Sequence, residues 1–101
     1  MEITKMLTIS TANIKQSTGE FLYKVCSNQS LCHLTVYGQV AQYEDGAEYY
    51  GWFIYCRGNC FSEIPDDLVT AIQFAQSIDC DWICIDRDAE VLTELPTYKW
   101  E

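Results

Sequence analysis

The sequence predicts an α+β domain with the element order β-α-β-β-α-β, and three observations carry that prediction. Short runs rich in β-branched and aromatic residues occur at Met6–Ser10, Tyr49–Arg57 and Trp82–Ile85. Two other stretches place their apolar residues at helical spacing. Asp45-Gly46, between two strand-like runs, is a hairpin turn signal. The order is that of the split βαβ in ferredoxin-like folds, so the expected architecture is a four-stranded antiparallel sheet with two helices on one face. With 101 residues, the chain is expected to form one domain over 1–101.

Each element has a local reason. Met6-Leu7-Thr8-Ile9-Ser10 reads as the first strand. Thr11 or Asn13 can then cap a helix from about Ile14 to Cys26, where Ile14, Phe21, Leu22 and Val25 form the apolar stripe and Thr18 fills its gap. Gly19 inside that helix costs about 1 kcal/mol of helix propensity. Ser27-Asn28-Gln29-Ser30 is a polar loop before a strand from Leu31 to about Tyr43. The turn then leads into its partner strand, Tyr49–Arg57. Pro65 suits the first position of a second helix, where its missing N–H would have no partner anyway, and Asp66 and Asp67 complement the positive end of the helix dipole. Ile64, Leu68, Ala71, Ile72, Ala75 and Ile78 recur at helical spacing. Asp79-Cys80-Asp81 breaks the pattern ahead of the short strand Trp82–Ile85, and the residues after Asp86-Arg87-Asp88 form an irregular tail ending in Leu95-Pro96-Thr97-Tyr98-Lys99-Trp100.

Two of these strands are apolar on both sides. Trp82 and Cys84 face one way and Ile83 and Ile85 the other, while Trp52, Ile54 and Cys56 oppose Phe53 and Tyr55. Helices on one face leave the second face to another layer: the C-terminal tail, a twin subunit or a partner protein. Folding the segment Pro96–Trp100 across it is the simplest arrangement, and a homodimer through the sheet face is the other.

Composition narrows the functional classes. The chain is 49% hydrophobic and 14% aromatic, enough apolar surface to exclude a disordered tail. No apolar run approaches the ~20 residues of a membrane span. Met1–Ile14 lacks a charged-then-apolar signal pattern, so a cytoplasmic location is expected. The net charge of −9 argues against direct binding of nucleic acid, which relies on neutralising phosphates. The acidity is uneven. Residues 1–50 carry five acids and three bases, whereas residues 51–101 carry ten acids and three bases.

Candidate chemistry is sparse. Of the six cysteines, Cys56 and Cys60 have a spacing loosely compatible with zinc, but buried free thiols are the expected state. Cys80 and Cys84, four residues apart along a strand, lie ~13 Å apart and cannot share one metal. His33 is the only histidine, and Cys32 beside it points to the opposite side of a strand, which argues against a Cys–His nucleophile pair. No phosphate-cradling glycine loop, hydrolase nucleophile motif or zinc-protease motif occurs, so no cofactor is expected. Asp86-Arg87-Asp88 is the sharpest polar cluster. It is expected to be a structural network around Arg87, with a divalent-metal-dependent hydrolase using Asp86, Asp88 and Asp81 as the alternative.

The chain also resembles an uncharacterised bacterial family of domains of comparable length. The resemblance rests on Ile9-Ser10-Thr11-Ala12-Asn13-Ile14, Gly51-Trp52-Phe53-Ile54-Tyr55, Ile64-Pro65-Asp66-Asp67-Leu68, Cys80-Asp81-Trp82, Asp86-Arg87-Asp88 and Leu95-Pro96-Thr97-Tyr98-Lys99-Trp100. Lys24–Glu48 matches least, and Cys26, Cys32 and His33 stand outside the pattern. The family is found on plasmids, integrated elements and phage-derived islands, so the resemblance implies a mobile-element setting in which small acidic anti-defence proteins are common. The resulting expectation is a non-enzymatic inhibitor that binds a basic, nucleic-acid-handling defence protein. Asp66, Asp67, Asp86, Arg87, Asp88, Glu90 and Glu94 would form its polar surface, and Trp82 or Trp100 its apolar anchor.

Overall fold

Strand β1 (Met6–Ser10) leads through a single 3₁₀ turn (Thr11–Asn13) into helix α1 (Gln16–Ser27). The hairpin β2 (Val36–Tyr43) and β3 (Gly46–Tyr55) follows, then helix α2 (Asp66–Ser77) and strand β4 (Trp82–Asp86). This computed structural model describes residues 3–27, 34–44, 46–57 and 61–100. The expected element order therefore holds, and the predicted hairpin joins β2 to β3, with Asp45 itself outside the described residues.

The sheet differs from the ferredoxin-like expectation. Its strand order is β1-β4-β3-β2, and it is mixed. β1 and β4 run parallel, with Met6 beside Trp82 and Ser10 beside Asp86, while β4–β3 and β3–β2 are antiparallel. In the split βαβ arrangement β1 would lie between β3 and β4, and every neighbour would be antiparallel. The residues explain the exchange. β4 buries Ile83, Cys84 and Ile85 in succession, so it takes the interior position with a strand on each side. β1 leaves Met6 and Thr8 exposed and buries Ile9, a pattern that tolerates an edge.

The core lies between one face of the sheet and the two helices. Ile9, Val36, Trp52, Ile54, Ile83 and Ile85 supply the sheet side, and Leu22, Val25, Leu68, Ala71, Ile72 and Ala75 the helix side. β3 carries one extra residue where its register with β2 shifts between Gln39 and Val40. Beside that bulge Gly51 faces Asp86, and a Cβ built on it would stand 2.1 Å from the Ile85 carbonyl oxygen. Backbone cannot retreat as a side chain can, so glycine is required for β3 and β4 to pair there.

The helix ends are satisfied partly by neighbouring residues and partly by the other helix. Thr11 and Asn13, expected to cap the first helix, lie instead within a 3₁₀ turn capped by Ser10, whose Oγ accepts from Ala12 N at 3.0 Å, and α1 begins later than expected, at Gln16. The start of α1 is tied to α2 by Asp67. Its carboxylate accepts Lys15 N at 2.7 Å and the Thr18 hydroxyl at 2.6 and 2.7 Å. Pro65 sits one residue before α2 as its cap residue, and its carbonyl receives Val69 N. α2 ends in a Schellman turn, with Asp79 N donating to Gln76 O and Cys80 N to Ala75 O. Asp79 takes the left-handed conformation this turn needs, at φ 62°.

Because the Asp67 carboxylate accepts both Lys15 N and the Thr18 hydroxyl at the start of α1, Asp67→Ala is expected to lower stability by about 2–4 kcal/mol. Asp67→Asn, which keeps one acceptor oxygen, should cost roughly half as much. Urea unfolding checks both, and an unchanged midpoint for the alanine variant would remove Asp67 from this role.

Candidate functional site

Three features compete as the site: the acidic end of the sheet, the outer sheet face, and the C-terminal tail. The acids come from α2's first turn, the last residue of β4 and the segment that follows. The topology brings these to one end, since Ser10 pairs with Asp86 where β1 and β4 finish, and Asp67 reaches the start of α1. Asp66, Asp88, Glu90 and Glu94 are exposed there and Asp86 is half-buried. The Asp86 Oδ1 accepts Asp88 N at 2.9 Å, a local turn within the cluster, and Thr93 donates its hydroxyl to Glu94. Arg87 is exposed. Its N–H donates to Tyr50 O at 3.0 Å, and its guanidinium lies 6.0 Å from the Tyr50 ring centroid. Asp67 does not belong to this surface, because it is buried between the helices.

The opposite end has its charges matched. Arg57, just beyond β3, pairs with Asp81 through Nε and with Asp79 through Nη2 at 2.7 Å. Lys5 N donates to Asp81 Oδ2 at 3.2 Å, and its ammonium reaches Ile78 O at 2.9 Å, at the negative end of α2. The Arg57 hydrogen bond, with that of Lys5 N second, holds the Asp81 carboxyl below the usual carboxylate range. Asp81 and Asp86 stand at opposite ends of β4, about 16 Å apart at the strand's rise. Asp81, Asp86 and Asp88 therefore do not converge. Among the described residues, no three His, Cys, Asp or Glu side chains are grouped to hold a metal ion.

The outer face of the sheet is aromatic. Trp82 lies 5.2 Å from Tyr55 and 6.2 Å from Tyr37, centroid to centroid, and Phe53 and Cys84 stand as neighbours in the register. At its centre Gln39 Nε2 donates to Cys84 Sγ at 3.0 Å. The tail does not cover this face. It runs instead along the start of α1, where Tyr98 N donates to Ala12 O at 2.7 Å and Trp100 Nε1 to Ile14 O at 2.9 Å.

The buried Asn13 amide fastens the tail, donating to Leu92 O and Pro96 O while its oxygen accepts Leu92 N. The Trp100 ring lies against Gly19, where a Cβ would come within 2.5 Å of Cη2. The glycine that weakens α1 by propensity is thus the seat of the indole. Beside it, a groove of about 400 Å³ is lined by Trp100, Trp52, Tyr23, Gln16, Glu20 and Lys24. The two candidate anchors therefore lie on different sides of the molecule, Trp82 on the sheet and Trp100 on the helix layer.

The described thiols are free: Cys56, Cys80 and Cys84 are buried and Cys26 is half-buried. Burial pushes the Cys56 thiol up to about 12, and also raises those of Cys26 and Cys84. Cys32, His33 and Cys60 lie outside the described residues. Reading the residues in order misses the Lys5–Arg57–Asp79–Asp81 knot, the Asn13 lock and the part of Tyr37 in the aromatic face. A polar residue directly after a strand, as Asn13 and Arg57 nearly are, is the only local signal for them.

A family model described as "Family of unknown function (DUF5983) C-terminal domain" matches residues 6–100. Neither the curated proteins nor the solved structures contain a match.

Two outcomes follow from this geometry. Among the described cysteines, a thiol reagent should label Cys26 first in the native protein and reach Cys56, Cys80 and Cys84 only on unfolding; mass spectrometry of labelled peptides checks the order. The stability contributed by the Asp81 carboxylate is present above its unfolded pKa of about 3.9 and is lost as pH falls through the lower native value. Arg57→Ala should bring the Asp81 pKa back up in an NMR carboxyl titration, and an unmoved titration would count against the pairing.

Proposed function

The chain belongs to the DUF5983 family, whose function is unknown, and on that premise we propose that it is a non-enzymatic binding protein for a basic partner. One observation carries this reading: the carboxylates entering β4 at one end of the sheet are paired with cations, whereas three exposed carboxylates at the other end are not. Arg57 and Lys5 answer Asp79 and Asp81 at the first end. At the second, the carboxylates of Asp66, Asp88 and Glu90 meet no cation and no hydrogen-bond donor among the described residues. Unpaired carboxylates on one surface attract a basic partner over distance and raise its encounter rate. Trp100 lies at the same end, 37% exposed, and serves as the apolar anchor beside the acids.

A surface of this kind competes with phosphate for a basic groove. The partner class we propose is accordingly a nucleic-acid-handling protein, and the activity is inhibition of a defence system by a protein of a mobile element.

The test is capture of partners by tagged protein at low and at high salt, followed by identification of what is bound. The expected result is a stoichiometric basic protein released by salt. Against that purified partner, the variant Asp86→Asn/Asp88→Asn/Glu90→Gln should bind roughly tenfold more weakly, chiefly through a slower on-rate. Binding that ignores both salt and these substitutions would overturn the proposal.

A further inference from the structure

We infer that the groove between α1, β3 and the tail is a binding site for a small, uncharged, flat aromatic molecule that carries a carbonyl oxygen. Trp52 of β3 and Trp100 of the tail supply two of its walls, and Gly19 and Tyr23 of α1 the third. At about 400 Å³ it falls within the roughly 300–1,000 Å³ of small-ligand pockets, which are mostly apolar with a few placed polar groups. Gly19 keeps the helix wall bare, so the Trp100 ring lies against it while its Nε1–H donates to the Ile14 carbonyl. That ring is therefore fixed as a wall before any ligand arrives.

The chemistry of the occupant follows from Trp52. Only 6% of this residue is exposed, and its Nε1–H is the one buried side-chain polar atom without a hydrogen-bond partner among the described residues. Buried N–H groups are nearly always answered, because a donor stripped of water and left unpaired gives up its hydration and gains no bond. The Trp side chain can only donate, so what is missing here is an acceptor. Trp52 otherwise packs in the core, and the groove is the side from which an acceptor can enter.

The walls and the rim set the remaining features. Two Trp rings and a Tyr ring favour a flat aromatic body, held by offset-stacked or edge-to-face contact. Glu20 and Lys24, one helical turn apart at the rim, offset each other's charge, so the groove favours neither an anion nor a cation. A cation would also leave the Trp52 donor unanswered. A neutral ring with a carbonyl meets both requirements.

The experiment is an NMR titration of the full, isotope-labelled chain with two probes of nearly the same shape, oxindole, which has a ring carbonyl, and indole, which lacks one. The side-chain Nε1–H signals of Trp52, Trp100 and Trp82 report directly, with Trp82 on the outer face of the sheet as the internal control. Oxindole should move the Trp52 signal downfield as its proton gains an acceptor, move that of Trp100 as well, and leave Trp82 in place. Indole should bind roughly tenfold more weakly. In Trp52→Phe, which keeps a ring and removes the donor, the two probes should bind alike, and Trp100→Ala should weaken both several-fold. Neither probe is charged, so their binding should ignore salt, whereas a basic partner at the acidic end is released by it. Trp100 serves both surfaces, yet the two readings fail separately. A Trp52 signal unmoved by millimolar oxindole, equal binding of the two probes to the native chain, or an oxindole preference that persists in the folded Trp52→Phe variant would each overturn the inference.

Discussion

The carboxylate of Asp67 sits where two helices begin, and much of the architecture follows from that placement. α1 and α2 start at the same end of the sheet and both run back toward the other, so their positive dipole ends stand side by side. Left alone, that arrangement is unfavourable. A single buried carboxylate in the first turn of α2 answers it, accepting Lys15 N just ahead of α1 and the Thr18 hydroxyl within it while lying at the start of its own helix. It ties the starts of the two helices together.

The sheet is organised around β4. Buried on both faces, it is drawn to the interior between β1 and β3, and Gly51 allows β3 to come close enough to pair with it. Placing β4 beside β1 also decides where the polar groups go. Asp81, entering β4, meets Lys5 and Arg57. Asp86, leaving it, opens into an acidic segment that the tail carries past Asn13 to Trp100. The separation of paired from unpaired charge is thus a consequence of one strand's position.

The tail closes the helix layer and leaves the sheet's other face open. Trp100 spends its N–H on the Ile14 carbonyl and its ring on Gly19, so part of its surface is structural even where its edge is exposed. The aromatic cluster around Trp82 has no such internal partner beyond its neighbours on the sheet. The molecule consequently presents two surfaces of different chemistry, an acidic end and an aromatic face.

Local pattern was enough for the elements themselves. The strand at Met6–Ser10, the helix after Pro65 with its two leading aspartates and the turn at Asp45-Gly46 are all dictated by residues close in sequence, because capping, periodicity and turn geometry act over a few positions. The two-sided character of the strands at 51–56 and 82–85 was equally legible. Strand order was not legible, since the same β-α-β-β-α-β string fits either β1 or β4 at the centre, and the choice turns on total burial. Nor could the sequence separate Asp67 from Asp66. Both suit a helix start, and only the approach of α1 turns one into a buried cap and leaves the other in solvent. The tail's path was likewise a tertiary decision: a bare Gly19 on α1 admits the Trp100 ring, and that close contact, invisible along the chain, is why the aromatic face of the sheet stays open.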